Sequence, residues 1–234
     1  MQAVILAGGK GTRLKPYTII IPKPLVPLGD KAILEILIAR LKKCGIRELT
    51  LCVNHLAQLI MAYFGDGKKW GVHIEYSLER ESLSTVAPIK LIKDLPENFL
   101  VMNGDLLTDL DFKKLYNCHL KNKALVTVAI YKRIEKIDFG VIDIDKDDNI
   151  VIGFQEKPEY KLNVSMGVYV FNKKVLDFIP RNTVFGFDDL MDKLLDNKQI
   201  ISVYPYDGYW LDIGRPEDYE KANKDIEKLK LGWI

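Results

Sequence analysis

The 234-residue chain is poor in the residues that staple or metallate small proteins, with 3 cysteines and 3 histidines. Cys44, Cys52 and Cys118 include no CxxC pair, and their odd number rules out a complete disulfide framework. They read as buried or incidental thiols, with Cys52 inside the apolar run "LTLCV". His55, His73 and His119 stand at no metal-ligand spacing, so structural roles are expected for them. Long apolar runs are also missing. The apolar stretches are strand-length or broken by Lys and Arg, short of the roughly 20 residues of a spanning helix. The start, "MQAVILAGG", lacks a basic leader and a cleavage-like segment, which predicts no signal peptide and a cytoplasmic protein. A net charge of +2 gives no broad cationic surface, so neither nucleic acid nor an anionic membrane is an expected partner. Any cationic site must be local. Repeats, low-complexity tracts and Ser/Gly-rich linkers are absent as well.

What is present is an ordinary globular balance, 48% apolar and 28% charged residues. At 26.8 kDa the chain can bury a substantial core, and one domain over 1–234 is expected. "AVILAG" is a continuous apolar run of the kind found in a strand covered on both faces. "DKAILEILIARLKKCG" then puts Ile33, Leu34, Leu37, Ile38 and Leu41 on one helical face, with Asp30 as the expected N-cap and Gly45 as the stop. "LTLCVN" reads as the next strand. Leu56, Leu59, Ile60, Tyr63 and Phe64 line a second helix, "VHIEYS" is a strand, "APIKLIK" a helix and "FLVMNGD" a strand. This alternation predicts a Rossmann-like, doubly wound α/β sheet. Beyond about residue 124 the strands crowd together in "ALVTVAI", "GVIDID", "IVIGFQEK" and "VSMGVYVF", with "DKDDN" as a turn. They predict a small antiparallel β flap that closes a site from the side opposite the first loop. Helices return at "FDDLMDKLLD" and "RPEDYEKANKDIEKLK".

The segment "AGGKGTR" after the first strand packs Gly8, Gly9 and Gly11 with Thr12, Lys10 and Arg13. Ligands of open α/β sheets bind beyond the carboxyl ends of the strands, so this loop occupies the expected site. Glycine lets backbone N–H groups approach a base or phosphate, and the planar fork of Arg13 suits phosphate oxygens. A glycine-rich turn with solvated cations is the plainer alternative. The pattern is not a P-loop, since no GK[ST] follows, and not GxGxxG, since Leu14 holds the last position. The next segment, "PYTIIIPKPLVPLGD", shifts the balance toward a ligand-binding loop. Lys23 sits between Pro22 and Pro24, whose rings restrict the backbone on both sides, so its ammonium is aimed as well as charged. Asp105 at a strand end and Asp212 before "IG" can converge on a hard cation, although either alone also suits a turn or cap.

"LAGGKGTRLKPYTIIIPKPLVPLG" resembles the signature of the sugar-1-phosphate nucleotidylyltransferases, the pyrophosphorylases that make nucleotide sugars. The resemblance continues through "NGD" at 103–105, "FGV" at 139–141, "EKP" at 156–158, "GVYVF" at 167–171 and "WLDIGRPEDY" at 210–219. It implies an Mg²⁺-dependent enzyme whose substrates are an NTP and a sugar 1-phosphate, with a nucleotide-binding half over about 1–123 and a sugar-binding half over about 124–234. By that resemblance Leu6, Gly8, Gly9, Gly11, Thr12, Glu79, Ser84 and Thr85 hold the nucleotide. Arg13 holds the leaving β- and γ-phosphates, Lys23 contacts the α-phosphate, and Asp105 with Asp212 binds Mg²⁺. Gly140, Glu156, Lys157, Ser165 and Gly167 are implied to contact the sugar. "FGDGKKWGVHIEY" and "NGDLLT" look most like short guanylyltransferases for mannose-, heptose- or amino-sugar 1-phosphates, which favours GTP. The chain's end soon after "RPEDYEKANKD" argues against the β-helix appended to longer members.

Two segments depart from the family pattern. "SLSTVAPIK" puts Ser82, Ser84 and Ala87 where Pro, Gly and Gly are common, and retains Thr85. A serine at a position needing positive φ is expected to alter the loop path or narrow the base pocket. "VSMGVYVF" puts Ser165 and Met166 where a sugar-contacting Asn is common, which leaves the sugar open. Two alternatives to the guanylyltransferase stand beside it. One is a catalytically silent nucleotide-binding or regulatory relative. The other uses UTP, CTP or dTTP, or a phosphorylated acceptor that is not a hexose. Neither a monomer nor a homo-oligomer is selected, and the tail "LGWI" suits an interface and a packed end equally.

Overall fold

A computed structural model describes residues 1–79, 81 and 83–233, with side chains described as far as Ile226. In chain order the elements begin with β1 (Gln2–Leu6), the short pair β2 (Pro27–Leu28) and β3 (Lys31–Ala32), α1 (Ile33–Lys43), β4 (Glu48–Val53) and α2 (Ala57–Phe64). β5 (His73–Leu78), β6 (Asn98–Asn103), β7 (Leu106–Thr108) and α3 (Phe112–Asn122) follow. Then come β8 (Val126–Lys136), β9 (Val141–Ile144), β10 (Val151–Gln155) and β11 (Glu159–Asn172). The chain finishes with α4 (Phe187–Asp196), β12 (Ile201–Tyr206), β13 (Trp210–Asp212) and α5 (Pro216–Trp233).

The main sheet has seven strands in the order β12-β8-β11-β6-β1-β4-β5. β1 pairs in parallel with β4 and β6, and β4 with β5, whereas β11 runs antiparallel between β6 and β8. Side chains alternate across it. Ala3, Ile5, Leu100 and Met102 join the cluster packed with α1, α2 and α3, while Val4, Phe99 and Val101 join Leu190 and Leu194 of α4 on the other face. Both faces are therefore dry, which is why these strands read as unbroken apolar runs rather than alternating ones.

Local expectations were met unevenly. α1 stops as foreseen: Gly45 takes φ +80°, its N–H donates to Lys42 C=O at 2.8 Å, and Ile46 N–H donates to Leu41 C=O at 3.0 Å. Its N-cap is Ala32 rather than Asp30, because the β2–β3 hairpin takes up Asp30 first. In α2, Ile60 and Phe64 are buried but Leu59 and Tyr63 are each 44% exposed, so the apolar stripe is wider than the contact. "APIKLIK" forms only a five-residue 3₁₀ turn, Ala87–Leu91, started by Pro88. "VSMGVYVF" is not part of a separate flap. It is the inner end of β11, a central strand of the main sheet. Of the strands expected in that flap, only β9 and β10 pair apart from the main sheet. α3, which pattern reading passed over, packs Phe112 and Leu115 under the sheet and caps itself with Asp111, whose carboxylate accepts from Lys114 N–H at 3.1 Å. Among the described residues no helix is long and apolar enough to cross a membrane.

Candidate active site

The register of the central strands builds one end of the sheet as a ledge. Leu6 lies opposite Cys52 on β4 and opposite Asn103 on β6, so three parallel strands end at one level. β1 leads outward to β4 on one side and is flanked by the later β6 on the other. The crevice above it is the switch point where α/β sheets take ligands. A cavity of about 370 Å³ opens there. Leu6, Gly8, Gly9, Gly11, Thr12, Arg13, Lys23, Glu79, Ser84, Thr85, Asp105 and Asp212 all line it, which brings together every nucleotide, catalytic and metal position read from the sequence. Ala7, Pro24, Cys52, Pro88, Asn103, Gly104 and Gly214 complete the wall and were not singled out beforehand. Asn103 and Gly214 belong to the quoted "NGD" and "WLDIG", so that signal was available; Cys52 and Pro88 entered only through packing.

The charged end of the cavity is assembled from three separate segments. Lys23, after Pro22, opens a short 3₁₀ turn and points its ammonium at Asp105 Oδ2, with which it forms a hydrogen-bonded ion pair. Asp105 follows β6, and Asp212 is brought beside it because β13 pairs antiparallel with β7, Asp212 opposite Leu106. Ile213 N–H clamps the pair by donating to Asp105 C=O at 3.1 Å. Burial raises the Asp212 carboxyl above its ordinary range, the neighbouring Asp105 raises it further, and Lys23 and Arg13 work against both. Arg13 lies beside Gly214, its Nη2 3.7 Å from where a Cβ on that glycine would stand.

The other end of the cavity is less charged and more closely fitted. Glu79 is buried, and burial raises its carboxyl, partly offset by the Leu83 N–H that donates to Oε2 at 3.2 Å. A Cβ on Gly8 would stand 2.9 Å from Glu79 Oε1 and 3.2 Å from Asn54 Cβ, so a side chain there would displace the buried Glu79 carboxyl. Ser84 takes φ +71°. The loop thus holds a left-handed conformation that glycine adopts freely and that costs serine about 1 kcal/mol or more. It is held there from outside: Phe185 N–H donates to Leu83 C=O, Val86 and Ala87 N–H donate to Phe185 C=O, and Phe187 N–H donates to Thr85 Oγ1. Ser82 lies outside the described residues.

The implied sugar residues stand apart. Gly140, Glu156 and Lys157 are exposed at the root of the β9–β10 ribbon and do not line the cavity. Gly140 and Glu156 meet each other, with Glu156 Oε2 3.3 Å from the Cβ position of Gly140, and Lys157 takes φ +43°. Ser165 and Gly167 sit where β11 enters the main sheet. Ser165 Oγ donates to Tyr169 OH at 3.1 Å and accepts from Gly167 N–H at 3.3 Å. Gly167, at φ +69°, lets the Asn103 amide approach to within 2.6 Å of its Cβ position, which ties this turn to the cavity wall. The flap expected to close over the first loop does not contribute to the cavity lining.

Two carboxylates, a lysine and an arginine thus stand together at the end of a parallel sheet, where α/β folds take ligands. Comparisons with known proteins name the family. Residues 2–229 match the Nucleotidyl transferase family model, and the chain belongs to that family. Among its relatives, a D-glycero-alpha-D-manno-heptose 1-phosphate guanylyltransferase of Campylobacter jejuni is 36% identical, covering 94% of this chain and 97% of the relative. A UTP–glucose-1-phosphate uridylyltransferase of Synechocystis is 32% identical over all of this chain, and a mannose-1-phosphate guanyltransferase of Candida albicans is 34% identical over 94% of it. The chain spans 66% and 62% of the lengths of those two proteins. HddC from Yersinia pseudotuberculosis superposes with a TM-score of 0.75 at 28% identity, covering 96% of this chain and 99% of that one, and its structure has also been solved with GMP-PN.

Proposed function

We propose that the protein transfers a guanylyl group from GTP to a sugar 1-phosphate, releasing pyrophosphate. The observation that carries this is the convergence of Arg13, Lys23, Asp105 and Asp212 at the switch-point cavity. An oxygen of the sugar phosphate attacks the α-phosphorus, the bond to the β-phosphate breaks, and pyrophosphate leaves. The attacking group is already an anion at neutral pH, so no protein nucleophile is required. Lys23 exchanges its contact with Asp105 for the α-phosphate, lowering the repulsion between two anions as they meet. Arg13, at the same charged end beside Gly214, takes the departing phosphates. Catalysis on this reading is alignment and charge neutralisation.

The carboxylates suit a magnesium ion. Asp105 Oδ1 is buried with no hydrogen-bond partner, and its neighbour Asp212 repels it, a conflict that a shared cation removes. Among the described residues no cluster of three or more His, Cys, Asp or Glu could hold a metal, so phosphate oxygens and water would complete the shell, as Mg²⁺ favours. When bound, Mg²⁺ supplies neutralisation of the triphosphate. Guanine is favoured by Glu79, a buried acceptor at the less charged end of the cavity. Among the bases, guanine presents adjacent ring and exocyclic N–H donors to such a group. A manno-configured pyranose 1-phosphate is the favoured acceptor, supported by the mannose and heptose guanylyltransferases among the relatives.

The test is pyrophosphate release from purified protein with Mg²⁺, screening GTP, CTP, UTP, dTTP and ATP against mannose, heptose, glucose and amino-sugar 1-phosphates. GTP with a manno-configured acceptor should release pyrophosphate fastest, and chelating the metal should abolish release. Preference for UTP with glucose 1-phosphate would replace the base and sugar assignment. Silence across the panel with nucleotide still bound by calorimetry would indicate a regulatory relative.

A further inference from the structure

The segment Tyr17 to Ile21 inverts the usual sorting of side chains. Its four apolar residues, Tyr17, Ile19, Ile20 and Ile21, keep between 36% and 75% of their surface in water, while its one polar residue, Thr18, is 3% exposed. Hydrophobic burial alone would have chosen an isoleucine, so a specific contact holds Thr18 inside. Its hydroxyl donates to Gly11 C=O at 2.7 Å, an oxygen that also accepts from Leu14 N–H at 2.9 Å. Its methyl is fitted as closely. A Cβ on Gly11, which takes φ +62°, would stand 2.9 Å from Thr18 Cγ2 and 3.3 Å from Lys23 Cβ. One side chain thus grips the glycine loop through two different atoms, at the point where that loop lies against the stem of Lys23.

We propose, on the reading that nucleotidyl transfer takes place at the switch-point cavity, that Thr18 is a positioning residue for it: its hydroxyl locks the Gly11–Thr12 peptide in the orientation a polyphosphate requires. A peptide is planar and trans, so turning Gly11 C=O toward Thr18 points Thr12 N–H the opposite way. Gly11, Thr12 and Arg13 line the cavity and Thr18 does not, so that opposite way leads into the ligand space. Among the described residues Thr12 N–H has no hydrogen-bond partner, which leaves it to a ligand. Without Thr18, only Leu14 N–H holds the carbonyl, and a glycine at position 11 does little to stop the peptide from rotating. A carbonyl oxygen turned inward would repel phosphate. The same grip fixes the short 3₁₀ turn Thr12–Leu14 that carries Arg13, and sets its distance from Lys23. Donors held in place before the reaction need no reorganisation during it, so Thr18 acts on rate through the groups it holds without touching substrate.

Steady-state kinetics of wild type, Thr18→Val and Thr18→Ser, with the substrate pair that wild type turns over fastest, test this. Thr18→Val keeps the shape and loses the donor. It should lower kcat/KM for the NTP by about tenfold to a hundredfold while KM for the sugar 1-phosphate stays within about twofold. Thr18→Ser keeps the donor and should recover most of that loss. Melting curves of both variants should lie within a few degrees of wild type, which separates positioning from unfolding. Calorimetry with the NTP that wild type binds most tightly reads the same loop without turnover: Thr18→Val should bind about tenfold more weakly and Thr18→Ser like wild type. If wild type binds nucleotide but transfers nothing, the functional reading fails and the binding comparison alone decides the role of Thr18. Undiminished kcat/KM and affinity in Thr18→Val, a Thr18→Ser protein no better than Thr18→Val, or an equal rise in both KM values overturns the proposal.

Discussion

The two ends of β11 make the most instructive comparison in the molecule. Its inner end, Met166–Phe171, is buried between β6 and β8, while its outer end, Glu159–Val164, pairs with β8 alone and has no buried residue. The switch-point cavity stands on strands of the first kind, whereas Gly140, Glu156 and Lys157 belong to an exposed element of the second. Groups that must meet a polyphosphate in a fixed arrangement gain from a rigid base, because electrostatic stabilisation depends on donors that need not reorganise. Gly140, Glu156 and Lys157 have no such support from the described residues and can follow whatever packs against the ribbon.

This contrast can be broken at both ends. The largest effect is expected in the core. Phe99, fully buried against Phe171 at 6.1 Å between ring centroids, should lose about 3–5 kcal/mol of stability as Phe99→Ala, whereas Phe154→Ala should stay within about 0.5 kcal/mol. Urea titration of both proteins checks it, and equal losses would show the ribbon to be packed after all. Next comes the aimed cation. Lys23→Ala should lower kcat about a hundredfold or more, in line with removing one charge-stabilising donor, and unchanged turnover would falsify its role. Ser84→Gly should raise stability by about 1 kcal/mol by relieving the left-handed φ, with a melting curve as the measurement; a loss instead would mean that the hydroxyl holds the loop.

The smallest effect concerns pH. His119 is buried between Thr127 Oγ1 at 2.8 Å and Asn98 Oδ1 at 3.1 Å, and burial lowers its pKa from the ordinary 6.5. Below 6.5 the unfolded chain binds a proton that the folded chain refuses, so this group makes stability fall with falling pH until the lowered native pKa is passed. His119→Gln should flatten that slope in denaturation midpoints taken between pH 7 and 5, and an unaltered slope would assign it to other groups.

How much of this was legible depended on the range of the interaction. Apolar runs revealed β1, β4 and β6 because both faces of each strand are covered. Gly45 marked the end of α1 because a left-handed residue is a local requirement. α3 escaped because its exposed face is crowded with Lys and Asn, leaving few apolar positions to set a period. The sorting of β11 into the main sheet and β9–β10 into a detached ribbon was also illegible, since all of these strands have similar composition and pairing is decided between distant segments.

Sequence by itself determined the ingredients: a glycine loop after a buried strand, a lysine fixed between prolines, and carboxylates beside small residues. Those are properties of covalent geometry and local sterics, which neighbours in the chain impose. Only the tertiary structure decided which of them meet. The β13–β7 pairing sets Asp212 beside Asp105, and the contact with Phe185 holds Ser84 in a strained conformation. Burial, in turn, raises the carboxyls of Asp212 and Glu79. Each of these depends on segments distant in the chain being packed together and on water being excluded between them, and neither condition exists before the chain has folded.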